Sequence, residues 1–345
     1  MGYMMSSRAA LALGIAVCVL VILNVADADS QNSNHQKLAL ESLSSPILLG
    51  SDSKTAYRDP TAIYYDGTFY LYFTYVRTEE DGKIYLYTAV STSKDLKNWT
   101  DPKIITPKGQ RLNYCSPGNV IRHDGDWVLC LQTYPIPGLS RDDSLRWANE
   151  NARIFTMRSE DLLNWSKPEL IRAKGPKVPR EEMGRMIDAY FVEDKDEPGK
   201  WWCFYKQNGA SMSWSRDLET WHYAGRVDSG ENVCVIVRNQ YYYLFHSPGN
   251  GVGIKRSPDL KHWENWGDRI TLGQEDWPWA ETRLTAGFVL DMRDHPEVGK
   301  YLMFFHGVGP GAERTIENAF ADCSIGIAWS DDLCTWNWPG KPQPQ

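Results

Sequence analysis

The chain has no surplus of positive charge: 37 Lys and Arg stand against 44 Asp and Glu, a formal net charge of −7. That balance argues against nucleic-acid or anionic-membrane partners. A second long apolar run is missing, so no spanning helix is expected beyond the N-terminal segment. The cysteines lack C-x-x-C spacing, which argues against a zinc site. Helical periodicity is absent too, and helix-built folds are excluded with it.

The first 28 residues read as a secretory signal, with Arg8 in a positive n-region, an apolar stretch from Ala9 to about Val25 and an Ala26-Asp27-Ala28 cleavage site. The mature chain is expected to start near Asp29 and to be secreted or periplasmic. An uncleaved anchor is the alternative. Six cysteines then remain (Cys115, Cys130, Cys203, Cys234, Cys323 and Cys334), either as disulfides or as buried thiols.

Internal repetition dominates the rest. The segments Ser93 to Trp99, Ser159 to Trp165, Ser215 to Trp221, Ser257 to Trp263 and Ser330 to Trp336 all read Ser-x-Asp-Leu-x-x-Trp. A Ser/Asp turn followed by inward Leu and Trp links two antiparallel strands. Each is preceded by a period-2 hairpin (Thr61–Thr74, Asn119–Gln132, Ala189–Lys206, Val233–His246, Ala286–His306) and followed by a short apolar run such as Ile104-Ile105. Four strands per unit and five units predict an all-β, five-bladed β-propeller. The last unit lacks its fourth strand, and Ile47-Leu48-Leu49 supplies one, so the N-terminal strand is expected to close the last blade. The expected organisation is signal peptide 1–28, polar segment 29–44, propeller 45–340 and tail 341–345.

Aligning the second strands on their polar ends places Thr74, Gln132, Lys206, His246 and His306 around one mouth of the channel. The first positions of the innermost strands are then Asp59, Pro117, Asp188, Glu231 and Thr285. Carboxylates so close to the axis are costly unless they hydrogen-bond or shift their pKa values. The chemistry they suit is glycoside hydrolysis, where one carboxyl protonates the leaving oxygen and an ionised one activates water or attacks. A structural calcium in the central channel is the alternative use of the cluster. No other cofactor and no catalytic metal are expected.

Tyr57-Arg58-Asp59-Pro60, the run Asp66 to Thr74, Ile187-Asp188, and Glu231 ahead of Tyr241 to Ser247 resemble glycoside hydrolase family 43 and its relatives among five-bladed propeller glycosidases. The resemblance spans nearly the whole mature chain. It implies an inverting reaction with Asp59 as general base, Asp188 as tuning and orienting residue and Glu231 as general acid. Two features depart from the family pattern: Glu231 is followed by Asn232-Val233, and Trp279-Ala-Glu281-Thr-Arg283 replaces the Gly-His pair of the fifth blade. Glu281 is therefore either a substrate ligand or the acid itself.

Long loops converge on the same mouth: Tyr134–Arg153, Lys174–Met186, Leu272–Ala280 and Gly307–Cys323. Trp147, Trp277 and Trp279 are the candidates for sugar stacking, or alternatively loop anchors. Arg58, Gln132, Lys206, His246, Glu281, Arg283 and His306 complete the expected substrate-binding set. The substrate is expected to be an oligo- or polysaccharide. A non-catalytic carbohydrate-binding propeller and a glycoside phosphorylase using Arg58, Lys206 and Arg283 are the rival readings.

Overall fold

A computed structural model describes residues 37–108, 113–134, 150–310 and 322–342. The expected signal peptide, Trp147 and parts of two of the long loops lie outside the described residues.

The chain forms five antiparallel sheets in sequence order. Strand β1 (Ile47–Leu49) precedes the first blade, which comprises β2 (Thr55–Tyr65), β3 (Thr68–Thr78), β4 (Ile84–Ser93) and β5 (Lys103–Ile104). The second blade has an inner strand broken at Ser116–Asn119 into β6 (Asn113–Cys115) and β7 (Val120–His123), then β8 (Asp126–Tyr134), β9 (Ile154–Ser159) and β10 (Glu169–Leu170). The third is β11 (Ile187–Glu193), β12 (Trp201–Lys206), β13 (Ala210–Ser215) and β14 (His222–Val227). The fourth is β15 (Glu231–Arg238), β16 (Tyr241–Ser247), β17 (Gly253–Ser257) and β18 (Glu264–Asn265). The fifth is β19 (Arg283–Asp291), β20 (Tyr301–Val308), β21 (Cys323–Ser330) and β22 (Trp336–Asn337).

The ring closes as the sequence predicts. Strand β1 pairs antiparallel with β21, Ile47 opposite Gly326 and Leu49 opposite Ile325, and so covers the edge of the last blade. Ahead of it, Leu40 and Leu43 are buried in the largest core cluster.

The repeat acts as a turn with its own internal bonds. In the first blade Ser93 Oγ accepts from the Leu96 N–H, and Asp95 Oδ1 accepts from Lys97 and Asn98. The Leu of every repeat lies at positive φ (58–72°), and its carbonyl accepts from the indole Nε1–H of the Trp three residues on at 3.0–3.2 Å. A β-branched residue would resist that backbone conformation. These Trp side chains are structural, as their recurrence predicts.

The inner strands crowd the axis. A Cβ on Gly118 would lie 1.6 Å from the Ala189 carbonyl oxygen, so only glycine fits where the second blade passes the third. All six described cysteines are free, five of them buried and Cys334 exposed.

Candidate active site

Four inner strands carry a β-bulge at the entry to the axis and that of the second blade is broken there, and the left-handed residue at this point is never glycine. Asp59, Ser116, Asp188, Asn232 and Ala286 have φ of 49, 44, 54, 53 and 52°. A left-handed non-glycine residue costs of order 1–2 kcal/mol. Four of the five offset that with one shared device, a backbone N–H given to the preceding blade's second strand, to the side chain that pairs there with the residue just before that blade's own bulge. Ser116 donates to Thr74 Oγ1 (2.7 Å), Asp188 to Gln132 Oε1 (2.6 Å), Ala286 to Ser247 Oγ (2.9 Å) and Asp59 to His306 Nδ1 (3.0 Å). In the third blade that position is Lys206, whose ammonium cannot accept. There the Asn232 N–H turns to Asp188 Oδ2 instead, at 3.2 Å.

This ring corrects the expected register in three blades. The second-blade equivalent of Asp59 is Ser116, not Pro117. In the fourth blade Glu231 pairs with Ser247, so Asn232 is the bulged residue and Glu231 corresponds to Arg58 and Ile187. In the fifth blade Thr285 pairs with His306 and Ala286 is bulged. His246 thus leaves the ring. Its Nδ1 accepts from the Gly230 N–H (2.9 Å), and burial, with Lys255 and Lys206 nearby, pushes its pKa down to about 4. It is a neutral packing residue against Gly253.

The three carboxylates nevertheless meet. Asp59, Asp188 and Glu231 line one cavity of about 260 Å³, together with Arg58, Arg185, Arg283, Tyr134, Ser116, Asn232, Thr285 and His306. Asp59 Oδ2 accepts from Thr74 Oγ1 and Ser116 Oγ, both at 2.8 Å, and no hydroxyl of the described residues donates to Oδ1. Glu231 Oε1 is clamped by Arg283 Nη2 at 2.6 Å, and Arg283 Nε is fixed by the Gly249 carbonyl at 2.7 Å. Asp188 is 8 % exposed. Burial, and then the neighbouring charges of Glu231 and Asp59, push its carboxyl well above the usual range, which the Asn232 N–H and Arg185 only partly offset.

His306 is 1 % exposed, and burial beside Arg58 and Arg283 pushes its pKa far down. Its Nδ1 lies 3.7 Å from Asp59 Oδ1, which has the look of an ion pair. Because Nδ1 already accepts from the Asp59 N–H, the ring is neutral with its proton on Nε2.

Several expected ligands lie elsewhere. Trp277 stacks on Trp279 (5.2 Å) and on Phe305 (6.0 Å), and both indoles pack on the core of the fifth blade, outside the cavity wall. They are loop anchors. Glu281 is exposed after the short turn Pro278–Ala280 and does not line the cavity; nor does Lys206. Gln132 supports Asp188 from beneath through its backbone N–H. Arg185, Ser116, Tyr134 and Asn232 escaped the sequence reading. The bulge at Ser116 and Asn232 has no sequence signature, whereas Arg185, three residues before Asp188, was legible by proximity.

A small void of about 30 Å³ adjoins the cavity on the axis, lined by all five inner strands. Among the described residues no group of three or more His, Cys, Asp or Glu is arranged to hold a metal ion.

No protein-family model matches the chain, and no curated protein matches it in sequence. Solved structures do match in fold. An exo-1,5-α-L-arabinanase from a bovine ruminal metagenomic library superposes with a TM-score of 0.55 at 16% identity, covering 83% of this chain and 98% of its own. A thermostable family-43 glycoside hydrolase gives 0.58 at 15%, covering 88% and 98%. The catalytic domain of a Coprinopsis cinerea family-62 α-L-arabinofuranosidase gives 0.59 at 14%, covering 85% and 98%. The chain shares the five-bladed fold of these glycoside hydrolases. At such identities the likeness speaks for the fold, and the chemistry has to be argued from the cavity.

Proposed function

We propose that this protein is a glycoside hydrolase that cleaves oligo- or polysaccharides with inversion, using Asp59 as base and Glu231 as acid. The observation that carries the reading is the meeting of three carboxylates in one cavity, one of them, Asp188, so placed that its charge is disfavoured. A purely structural axis gains nothing from that arrangement.

In this reading Asp59 Oδ1 takes a proton from water as the water oxygen bonds to the anomeric carbon. The glycosidic C–O bond breaks on the opposite face, and a proton passes from Glu231 Oε2 to the leaving oxygen. The products are an alcohol and a hemiacetal of inverted configuration. Burial and the neighbouring charges of Glu231 and Asp59 favour a protonated Asp188, so a proton is held in the same cavity as the acid. Arg283 orients Glu231 through Oε1 and leaves Oε2 for the transfer. For inversion the Asp59 and Glu231 carboxyls should lie about 6.5–9.5 Å apart, with room for water between. The N-terminal segment 1–28 supports export of the enzyme to where polysaccharide is met.

The test is release of reducing sugar from a panel of plant and marine oligosaccharides by the wild-type chain and by Asp59→Asn. Release by the wild type, lost in the variant, is expected. Binding without release would favour a non-catalytic propeller, and release that requires phosphate would favour a phosphorylase.

A further inference from the structure

Resting on the glycosidase reading, we propose that the sugar entering this cavity carries an acidic substituent, a uronic carboxylate or a sulfate ester, and that Arg185 recognises it. Three guanidinium groups line the cavity, Arg58, Arg185 and Arg283, against the three carboxylates. Acid–base hydrolysis requires one carboxyl of the three to hold a proton. Among the described lining residues that leaves three cations against two anions, and a cation held there without an anionic hydrogen-bond partner is costly unless the substrate supplies one.

The three arginines are not equivalent. Arg283 is built in, held between Glu231 and the Gly249 carbonyl. Arg58 is 8 % exposed, and its Nη1 donates to Cys323 Sγ. Arg185 is half-buried, and its guanidinium makes no hydrogen bond to any described residue. Its backbone is nevertheless fixed: Gln207 Nε2 donates to the carbonyls of Met183 and Arg185, both at 3.0 Å, so the side chain projects from an anchored loop. Neutralising Asp188 does not explain it, because Asp188 remains pushed upward despite its presence.

Two further features agree. The Nε2–H of neutral His306, on the same wall, is buried without a protein acceptor among the described residues. Among the described lining residues Tyr134 is the sole phenyl-type ring, while Trp277 and Trp279 are spent on each other and on Phe305. Among the described lining residues polar and charged groups thus outnumber rings.

The experiment uses the full chain and oligosaccharide pairs that differ only in one group: C6 carboxylate against C6 hydroxyl, and sulfated against unsulfated. Turnover is measured on the wild type, and affinity by calorimetry on Asp59→Asn, at low and high salt. The acidic member of one pair should be preferred about 10–100-fold in kcat/KM, the worth of one charged hydrogen-bonded contact. Arg185→Gln should erase most of that preference through KM, and Arg185→Lys should restore part of it. The carboxylate and sulfate pairs tell the two substituents apart. Equal cleavage of both members, a preference that survives Arg185→Gln, or sugar release that depends on inorganic phosphate would each overturn the proposal. Salt-sensitive binding of an acidic member to Asp59→Asn, lost with Arg185→Gln, would uphold anion recognition even if the wild type cleaved nothing, in which case the hydrolase reading alone would fall.

Discussion

The backbone N–H of Asn232 donates to Asp188 Oδ2 because the side chain that should receive it, Lys206, is a cation. The other four bulged residues each find a neutral acceptor in the preceding blade. One residue of the third blade thus joins the axial scaffold to a carboxylate of the cavity.

Lys206→Gln should return the Asn232 N–H to the ring, as Gln132 takes that of Asp188. Asp188 would lose a bond that favours its charged form, and its pKa would rise further. The alkaline limb of the kcat/KM profile, which reports loss of the Asp188 proton, should move to higher pH. A pH-independent change in rate would mean that Lys206 matters only for folding.

Thr74→Val and Ser116→Ala each remove one hydroxyl from Asp59 Oδ2. Hydrogen bonds to a charged group contribute about 1.5–3 kcal/mol, so each variant should lose about 10–100-fold in kcat. KM should change little if Asp59 handles water rather than sugar. Steady-state kinetics on a cleaved oligosaccharide separates the two parameters.

Trp277→Ala should weaken the fold by about 1–3 kcal/mol while leaving KM unchanged, because the indole packs on Trp279 and Phe305 rather than on the cavity. Denaturant melts and Michaelis curves on the same preparation check this. A raised KM at unchanged stability would restore Trp277 as a sugar platform.

The repeat turns should set the acid limit of stability. Asp161 is held down to about 2 by the Asn164 and Leu163 N–H groups. Asp95 and Asp217 also reach about 2, where a modest burial penalty is outweighed by the N–H groups of Asn98 and Thr220. Carboxyls depressed in the folded state stabilise it fully above their unfolded pKa of about 3.8, and that contribution fades as pH falls through about 2. Thermal midpoints should therefore drop between about pH 4 and pH 2. Asp161→Asn should show a shallower drop than the wild type.

The five blades were legible because the Ser-x-Asp-Leu-x-x-Trp turn is built from local chemistry: two side-chain acceptors, a left-handed Leu and a Trp that caps it. Closure by Ile47–Leu49 was legible because the last unit runs out soon after Trp336: β22 covers only Trp329 and Ser330, and the rest of β21 demands a partner. Register was not. The bulges at Asp59, Asp188 and Asn232 add a residue that no composition marks, and β16 runs one residue past His246 to Ser247. A slip of one residue turns a strand's faces over, and this is how His246 was mistaken for a ring member and Glu231 for the twin of Asp59. The carboxylates were found all the same, because Glu231 precedes the bulge by one residue and reaches the same cavity.

The roles of Glu231 and Glu281 are separated by leaving-group dependence in the two glutamine variants. Glu231→Gln should cripple cleavage of glycosides with poor leaving groups and largely spare activated aryl glycosides, which need little protonation, while Glu281→Gln should leave that dependence as in the wild type. The same dependence appearing with Glu281→Gln and not with Glu231→Gln would contradict the assignment and place the acid on the fifth blade.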